Sequence, residues 1–364
     1  MWLVLIIVLI VLSVGGIVYL LTRIRRFSFI RKLAEKHKLL SWLVCFIPLL
    51  AVGCFYFVNV FAVIVALLHL FIIWVFCDFI AWIIRKCAKK ERTRNYEGAA
   101  AIVLTAAVLC AGWFLAHHVY ETDYQLETAK PLPDGKLRIG MVADSHLSIT
   151  LSGEDFAREM EKLQKTEPDA VVIVGDFVDD DTEKQDMLRA ADALGDLSTK
   201  YGVFFVFGNH DKGYYQYRNF TSEELRDALT KNNVTILEDE SAVIGGCVRL
   251  IGRQDKSNPD RAAMADLRTQ MDDAQYQIVL DHQPNDYANE AAAHADLVLS
   301  GHTHGGHIFP AGQIGLLMGA NDRIYGTETR DDTTFIVTSG ISGWAIPFKT
   351  GTISEYVVID VTQK

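Results

Sequence analysis

Apolar residues are distributed unevenly, and long continuous apolar runs occupy the first 118 residues. The hydrocarbon core of a bilayer takes about 20 residues of helix. The run 39–84, 46 residues long, would measure about 69 Å as one helix, which is enough for two crossings with a turn at Asn59. We therefore predict four transmembrane helices, at about 2–21, 39–58, 61–84 and 99–117.

Charge divides the chain at the same place. Residues 1–118 carry 13 Lys and Arg against four acidic residues, a net charge of +9, which leaves 22 against 41, a net charge of −19, for residues 119–364. The basic residues of the first part concentrate in 23–38 and 85–98. Because basic loops remain in the cytoplasm, we predict a multi-pass protein of the cell membrane whose polar part is extracytoplasmic. A cleaved signal peptide fits the first run less well, since a basic n-region and a small-x-small cleavage site are missing.

Two polar features stand out, one inside the membrane part and one directly after it. Asp78 is the one acidic residue inside an apolar run, and an intramembrane carboxylate is a functional candidate. Arg85 follows seven residues later and offers an ion-pair partner near the interface. The polar, proline-containing stretch 119–136 predicts an extended linker between a transmembrane domain, 1–118, and a second domain, 137–364.

Strand-like and helix-like segments alternate after this linker and predict an α/β domain with buried strands. The predicted strands are 137–142, 170–174, 203–207, 234–237, 247–251, 277–280, 297–299, 334–338 and 356–359. The predicted helices are 153–165, 182–194, 222–231, 259–270 and 286–294.

Side chains that bind metals follow five of these strands. The motifs are Asp144-Ser-His146, Gly175-Asp176-Phe-Val-Asp179, Gly208-Asn209-His210-Asp211, Asp281-His282 and Gly301-His302-Thr-His304-Gly-Gly-His307. Each one alone has an ordinary explanation, such as a helix N-cap for an Asp after a strand. Sites in open α/β sheets form beyond the carboxyl ends of strands, so the five motifs together predict one shared site.

The ligand types indicate the chemistry of that site. Imidazole and carboxylate without thiolate suit catalytic Mn, Zn or Fe rather than a structural zinc, and Cys247 is the only cysteine of the second part. Two divalent ions about 3.5–4 Å apart polarise a phosphoryl group and supply hydroxide together. The pattern thus favours hydrolysis of a phosphate mono- or diester by metal-bound hydroxide.

With these motifs in this order, the chain from about Leu137 to its C-terminus resembles the calcineurin-like metallophosphoesterase family. The resemblance implies a four-layer αββα sandwich behind the four-helix transmembrane bundle. It also implies that the ligands of one metal are Asp144, His146 and His304, those of a second metal are Asn209, His282 and His302, and Asp176 bridges the two. His210 would be the acid for the leaving group, with Asp179 orienting it.

Residues near the last motif and near the C-terminus indicate which branch of the family the chain resembles. Gly301–Gly306 followed by Phe309-Pro310 is similar to a membrane-linked branch of the family, near the UDP-2,3-diacylglucosamine hydrolases. That branch often has Gln where this chain has His307, and it has a basic residue near a late proline, where this chain has Lys349. His307, Lys212 and Arg253 are the candidate phosphate contacts.

Three kinds of function compete. The first is an enzyme that hydrolyses a phosphate ester, of which a lipid-linked or cell-envelope ester fits the membrane anchoring. The second is a membrane sensor or interaction protein that uses the phosphoesterase domain as a binding module. The third is a transporter-like bundle, for which Asp78 alone offers little. Membrane lipid is an expected partner, whereas a nucleic acid is not, since a net charge of −19 on residues 119–364 repels it.

Overall fold

The computed structural model describes residues 2–89, 91, 94–213 and 217–364. The chain forms two compact units, Met1–Ala111 and Gly112–Lys364. Lys90 and Arg92, which belong to the predicted basic loop 85–98, lie outside the described residues.

The N-terminal unit is built from helices. They are α1 (Trp2–Ile24), α2 (Ser28–Lys36), α3 (Lys38–Gly53), α4 (Val60–Ala88) and α5 (Tyr96–His117), the last of which continues into the C-terminal unit. Within the part of the chain that the structure describes, Lys38–Phe57, Val60–Ala88 and Tyr96–His117 are long and apolar enough to cross a membrane. Of the first predicted span, residues 2–12 lie outside the described side chains, and the remaining apolar stretch is Ser13–Ile24. The structure therefore supports three spans, and the fourth stays a prediction.

The predicted turn at Asn59 is present between α3 and α4, but the predicted ion pair between Asp78 and Arg85 is not formed. Asn59 caps α4, where its side chain accepts a hydrogen bond of 2.8 Å from the backbone N–H of Ala62. Asp78 pairs with Arg23 and, at 3.2 Å, with Arg26. The predicted partner, Arg85, instead contacts Glu97. The reason is that α1 and α4 pack together, which brings a distant arginine nearer to Asp78 than the one in its own helix.

The C-terminal unit contains two six-stranded sheets. Its strands are β1 (Val119–Thr128), β2 (Lys136–Val142), β3 (Ala170–Val174), β4 (Val203–Val206), β5 (Val234–Ile236), β6 (Glu240–Ile244), β7 (Val248–Gly252), β8 (Tyr276–Leu280), β9 (Leu297–Ser300), β10 (Gly326–Arg330), β11 (Thr333–Val337) and β12 (Ser354–Gln363). The first sheet has the order β1-β12-β2-β3-β4-β5 and the second has the order β10-β11-β9-β8-β7-β6. Both sheets are mixed, with parallel strands at their centres.

Helices cover the outer faces of the two sheets. They are α6 (Gly153–Gln164), α7 (Lys184–Gly195) and α8 (Ser222–Lys231) on the first sheet, and α9 (Met264–Leu267) and α10 (Tyr287–Ala292) on the second. A short helix, α11 (Ala311–Leu317), follows β9. Alternate residues of β3 face opposite ways: Val172 and Val174 belong to the core between the sheets, whereas Val171 and Ile173 pack under the helices. Burial on both faces explains why these strands are continuously apolar, and the layers have the αββα order.

The predicted linker 119–136 is wrong over most of its length. Residues 119–128 form β1, which pairs in parallel with β12 along ten residues. Only His118 separates β1 from α5. The strand was missed because it lies at the edge of the sheet, where every second side chain faces solvent and a polar residue costs little. The C-terminal unit consequently begins near Gly112.

Other differences occur where segments are short. The strands β6 and β10 and the helix α11 were not predicted, and the predicted helix 259–270 shrinks to α9 with one 3₁₀ turn after it. The basic segment 23–38, expected to be a loop, contains α2. Segments of four to nine residues carry too few periods for their pattern to be distinguished from that of a loop.

Candidate metal centre and active site

The five polar motifs meet at one end of the two sheets. In the first sheet β2, β3 and β4 are parallel neighbours, and in the second sheet β8 and β9 are. Their carboxyl ends therefore point the same way within each sheet, and the loops that follow them carry the predicted ligands. The loops after β2, β3, β4 and β9 line a single cavity of about 650 Å³. The loop after β8 places His282 beside Asp176, one of the residues that line this cavity.

One group of side chains consists of Asp144, His146 and His304, all buried. Their potential ligand atoms lie within 4.8 Å of one another. The Nε2 atoms of the two imidazoles are 3.1 Å apart, and Nε2 of His304 is 3.7 Å from Oδ1 of Asp144. The Nδ1–H of His304 donates to the carbonyl of Ser342, and that of His146 donates to Asp179. These bonds orient each ring so that Nε2 is the atom available to a metal ion.

A second group consists of Asp176, His282 and His302. Nε2 of His282 is 3.0 Å from Oδ2 of Asp176, and its Nδ1–H donates to the carbonyl of Val174. Asn209 lines the same cavity, and its buried Oδ1 has no hydrogen-bond partner among the described residues. A buried amide oxygen without a donor fits a metal ligand, because its desolvation is otherwise uncompensated.

Asp176 lies between the two groups. Its Oδ2 is 3.0 Å from Nε2 of His282 in one group and 3.6 Å from Nε2 of His146 in the other. Its Oδ1 accepts the backbone N–H of His210 at 2.8 Å, which fixes the rotation of the carboxylate. The sequence-predicted bridge is thus placed where one carboxylate can reach both groups.

Burial shifts the pKa of three of these side chains, which are His302, His304 and Asp144. Burial lowers the pKa of His302 to about 4 and that of His304 well below its ordinary value, so both rings are neutral, which is the form that binds metals. Burial also raises the pKa of Asp144 to about 6. A carboxylate in this position is destabilised unless a cation accompanies it. The residues present therefore fit divalent ions.

The backbone at the ligands adopts the left-handed conformation. This is true of Asp144 (φ 54°), His146 (34°), Asp176 (51°), His302 (68°) and His304 (47°). Each costs of order 1–3 kcal/mol unless the surrounding structure enforces it, and such residues cluster at functional sites. Glycines make the room: a Cβ atom at Gly208 would lie 2.2 Å from Oδ1 of Asp176, and one at Gly301 would lie 2.5 Å from Oδ2 of Asp144.

His210 and Asp179 form a pair at the edge of the cavity. Nδ1 of His210 is 2.9 Å from Oδ1 of Asp179, whose other oxygen is 3.1 Å from Nδ1 of His146. Burial alone would lower the pKa of His210, but the hydrogen bond to Asp179 and the charge of Asp176 outweigh it, and the pKa is raised. The arrangement agrees with the predicted roles of a proton donor and its orienting carboxylate.

Two of the three predicted phosphate contacts are not at the site. Arg253 is 2% exposed and pairs with Asp281, Asp286 and Glu290 at 2.8–3.2 Å, so its charge is already used inside the fold. Lys212 reaches outward to Glu238 at 2.9 Å. Neither is among the described residues that line the cavity. Each stands next to a motif residue in sequence or space, but local sequence does not show which way a long cation points.

His307, the third predicted contact, does line the cavity. Its ring stacks on that of His304 with centroids 5.2 Å apart. The buried Nε2 has no hydrogen-bond partner among the described residues. His307 therefore remains a candidate for contact with substrate.

Asp211 is a residue whose importance was missed. Its fully buried carboxylate accepts four backbone N–H groups, from Asp176 (2.9 Å), Phe177 (2.8 Å), Val178 (3.0 Å) and Gly208 (2.7 Å). It thereby ties the loop of Asp176 to the loop of Asn209. The signal was present in the sequence, because a third polar residue after Asn209 and His210 at a buried strand end is unusual.

Lys349 supports the opposite side of the site. Its fully buried Nζ donates to the carbonyls of Ser339 (2.7 Å), Gly340 (3.0 Å) and Ile353 (3.0 Å). Burial lowers its pKa to about 7. The loop it holds passes directly over the first ligand, since a Cβ atom at Gly340 would lie 2.6 Å from Cβ of Asp144. The late basic residue is thus a support for the loop.

The lining of the cavity is of two chemical kinds. Candidate metal ligands and the imidazole of His210 contribute polar atoms, whereas Ile308, Ala311, Trp344 and Ile346 contribute an apolar part, which we call the apolar wall. The indole of Trp344 lies 5.5 Å from the ring of His210, measured between centroids. An ester with an apolar portion beside its phosphate matches such a cavity.

Comparison with known proteins identifies this type of site. The profile of the calcineurin-like phosphoesterase family matches residues 137–306. An uncharacterized metallophosphoesterase of Campylobacter jejuni is 29% identical over 297 residues, which cover 79% of this chain and 76% of that protein. One of Aquifex aeolicus is 30% identical over 248 residues, covering 66% and 91%. A zebrafish (Danio rerio) transmembrane protein with a metallophosphoesterase domain is 25% identical over 327 residues, covering 81% and 72%.

The matched residues contain all five polar motifs except for His307, and the Aquifex relative aligns along nine tenths of its own length. The chain therefore belongs to the calcineurin-like metallophosphoesterase family, and it is a metal-dependent phosphoester hydrolase.

Proposed function

We propose that the protein is a membrane-anchored phosphoesterase with two metal ions, which hydrolyses a phosphate mono- or diester. The observation that carries this proposal is the position of Asp176, whose Oδ2 lies 3.6 Å from Nε2 of His146 and 3.0 Å from Nε2 of His282. Asp144, His146 and His304 would hold one ion, and Asn209, His282 and His302 the other, with Asp176 shared.

Bound divalent ions supply Lewis-acid polarisation of the phosphoryl group and an activated water. The protein itself holds the ligands in place and keeps one proton on His210 for the leaving group. Asp179 holds Nδ1–H of His210 at 2.9 Å, which aims Nε2 at the cavity. The raised pKa of His210 keeps a proton available on that atom for the leaving-group oxygen.

The membrane helices support a substrate at or near the bilayer. Among the described residues, three helices are long and apolar enough to span it, and the zebrafish relative is named as a transmembrane protein. The basic residues at 23–38 and 85–98 favour an extracytoplasmic position for the C-terminal unit. The apolar wall of the cavity favours an ester with an apolar portion, such as a lipid-linked or cell-envelope ester.

A metal-reconstitution assay tests the activity. The full chain in detergent is stripped of metal, refilled with Mn, Zn or Fe, and given p-nitrophenyl phosphate or bis-p-nitrophenyl phosphate. We expect metal-dependent turnover that His304→Ala abolishes. The matched control is His294→Ala, because this exposed histidine lies outside the cavity. A folded, metal-loaded protein without turnover on either ester would favour the binding-module alternative.

A further inference from the structure

An exposed apolar segment borders the mouth of the cavity. None of the residues of α11, all of which the structure describes, is buried. The side chains of Phe309 (48% exposed), Ile314 (50%), Leu316 (41%), Leu317 (87%) and Met318 (80%) face outward, and we call these five residues the apolar lip. Large contiguous apolar surfaces of this kind mark interaction sites in soluble domains.

The lip adjoins the apolar wall of the active-site cavity. Ile308, Ala311 and Gly312, which lie within the same segment, line that cavity together with Trp344, which is 42% exposed. The stretch 308–319 contains no charged residue and Gln313 as its one polar side chain. The exposed surface of this stretch therefore lacks the charged and polar groups that usually face water.

The position of the lip within the C-terminal unit indicates what covers it. Thr350 touches both the lip and the end of α5: its Oγ1 accepts the backbone N–H of Phe309 at 3.1 Å, and its Cγ2 would lie 2.9 Å from a Cβ atom on Gly112. The next residue back, Lys349, donates its backbone N–H to the carbonyl of Gly112 at 2.9 Å. A single residue, Thr350, therefore connects the lip to the last turns of α5, which is a candidate membrane span.

The same corner carries a second apolar contact with α5. The ring of Trp113 packs edge-on against Phe348 with centroids 5.5 Å apart. Because β1 begins two residues after α5 ends, the C-terminal unit has no spacer on which to move away from the bilayer. Where α5 crosses a bilayer, the corner formed by Trp113, Phe348 and the lip would therefore lie at the level at which this helix leaves it.

We infer that the apolar lip docks into the lipid surface beside α5, in the boundary between headgroups and acyl chains. An uncharged helix with leucine, isoleucine and methionine outward has the chemistry for that boundary. The tether supplies a high local concentration of bilayer, so that a small apolar area suffices. The cavity mouth then opens at the membrane, and, as a consequence that rests on the proposed function, an ester carried by a lipid reaches His210 without leaving the bilayer.

Accessibility of a spin label distinguishes a lipid contact from a contact with water or protein. The native cysteines of the full chain are replaced by serine, one nitroxide is attached at Leu317→Cys, and the protein is placed in phosphatidylcholine–phosphatidylglycerol vesicles. Oxygen partitions into lipid and a nickel chelate into water. We expect the oxygen-to-nickel ratio at position 317 to exceed several-fold that at Leu188→Cys, which is a leucine on α7 with 42% exposure. Equal ratios at the two positions overturn the inference.

A charge variant makes the result independent of the label. Leu317→Asp with Met318→Asp should expel the lip, because a carboxylate is costly among acyl chains. A nitroxide at Ile314→Cys should then change from the lipid-like to the water-like ratio, whereas Leu188→Asp leaves it lipid-like. The thermal midpoint in detergent should equal that of the parent, which shows that the unit is folded. A ratio at position 314 that stays the same in the charge variant overturns the inference.

The outcome is separate from that of the activity assay. The label reports the surroundings of the lip whether or not the protein turns over an ester. Hydrolysis of the soluble nitrophenyl esters in detergent requires no bilayer. Failure of the proposed function thus leaves the docking result standing, and failure of docking leaves the metal-dependent hydrolysis standing.

Discussion

Asp179 is a single carboxylate that serves two imidazoles. One oxygen orients His210, the proposed acid, and the other orients His146, a proposed ligand. Both hydrogen bonds lower the pKa of Asp179, although burial opposes them, so the carboxylate is ionised throughout the ordinary pH range. Substituting it would alter metal binding and proton transfer together, which is why the two functions are better separated at His210 and Asp176.

His210→Ala should retain the metals and lose turnover. The ring donates through an atom that is not in either proposed ligand set, so metal content, measured by mass spectrometry, should equal that of the parent. The rate should fall by about 10²–10⁴-fold, as is typical when a positioned acid is removed. The loss should be greatest for esters with poor leaving groups, which need the proton most. Loss of metal in this variant would contradict the assigned roles.

Asp176→Asn should lose metal and activity together. An amide offers one oxygen and no negative charge, so it cannot bridge two cations as a carboxylate does. Bound metal should fall below two ions per chain, and turnover should fall at least as far as it does in His304→Ala. Asp181→Asn is the matched control, because Asp181 is exposed and lies five residues further along the same loop. Unchanged metal content in Asp176→Asn would exclude the bridging role.

At the scale of elements, loops as well as strands hold the ligands in strained conformations. The loop 339–353 lies against Asp144 and also supplies the carbonyl that orients His304. Asp211 and Lys349 hold the supporting loops from opposite sides through buried hydrogen bonds to the backbone. Their contribution is to keep the geometry of the ligands, because strained backbone relaxes once its surroundings loosen.

Lys349→Met should destabilise the C-terminal unit. Methionine has a similar length but leaves three buried carbonyls without a donor, and each unsatisfied group costs about 1–3 kcal/mol. We expect a net loss on the order of 2 kcal/mol in the free energy of unfolding, since the cost of burying the amine is recovered. Urea unfolding in detergent measures it. Lys136→Met is the control, because Lys136 is exposed, and an equal midpoint for the two variants would contradict the supporting role.

The strand β1 should be a structural part of the C-terminal unit. A chain that begins at Gly112 keeps the ten-residue parallel pairing with β12, whereas one that begins at Lys130 loses it. Loss of that pairing bares one edge of β12 and the apolar residues beneath it. We expect the shorter chain to unfold at least about 5 °C lower. Equal melting temperatures would restore the interpretation of 119–128 as a linker.

At the scale of the whole molecule, the chain joins a basic, apolar unit to an acidic, catalytic one. Residues 1–118 carry +9 and residues 119–364 carry −19. Basic segments favour the cytoplasm, and one crossing between Arg94 and Val119 would put the acidic residues on the other side of the membrane, which is the orientation that we propose. Only α5 lies between these two residues.

Cysteine labelling tests that orientation. With native cysteines replaced, Ser198→Cys, on an exposed position of the C-terminal unit, should react with a membrane-impermeant maleimide in intact cells. Lys32→Cys, exposed on α2 in the basic segment, should react only after permeabilisation. The reverse pattern would place the active site in the cytoplasm.

Local pattern was sufficient to predict the strands that are buried on both faces and to single out the candidate metal ligands. Strands such as β3 and β9 are apolar throughout because they are buried on both faces, and this shows in the sequence without any knowledge of their neighbours. The candidate metal ligands could be recognised in the sequence because few side chain types coordinate divalent ions and because these residues follow one strand after another. In both cases the type of residue alone limits the environments in which it is found, so the sequence is enough to recognise it.

Only the tertiary structure decided features that depend on a distant partner. β1 is polar and becomes a strand through β12, more than two hundred residues away. Arg253 and Lys212 are cations like any others until their carboxylate partners are known. The lip is an ordinary apolar segment by sequence, and it becomes notable only because nothing in the described C-terminal unit covers it and because Thr350 links it to α5. A sequence records what each residue can do, whereas the energies that choose among those options come from contacts between residues far apart along the chain.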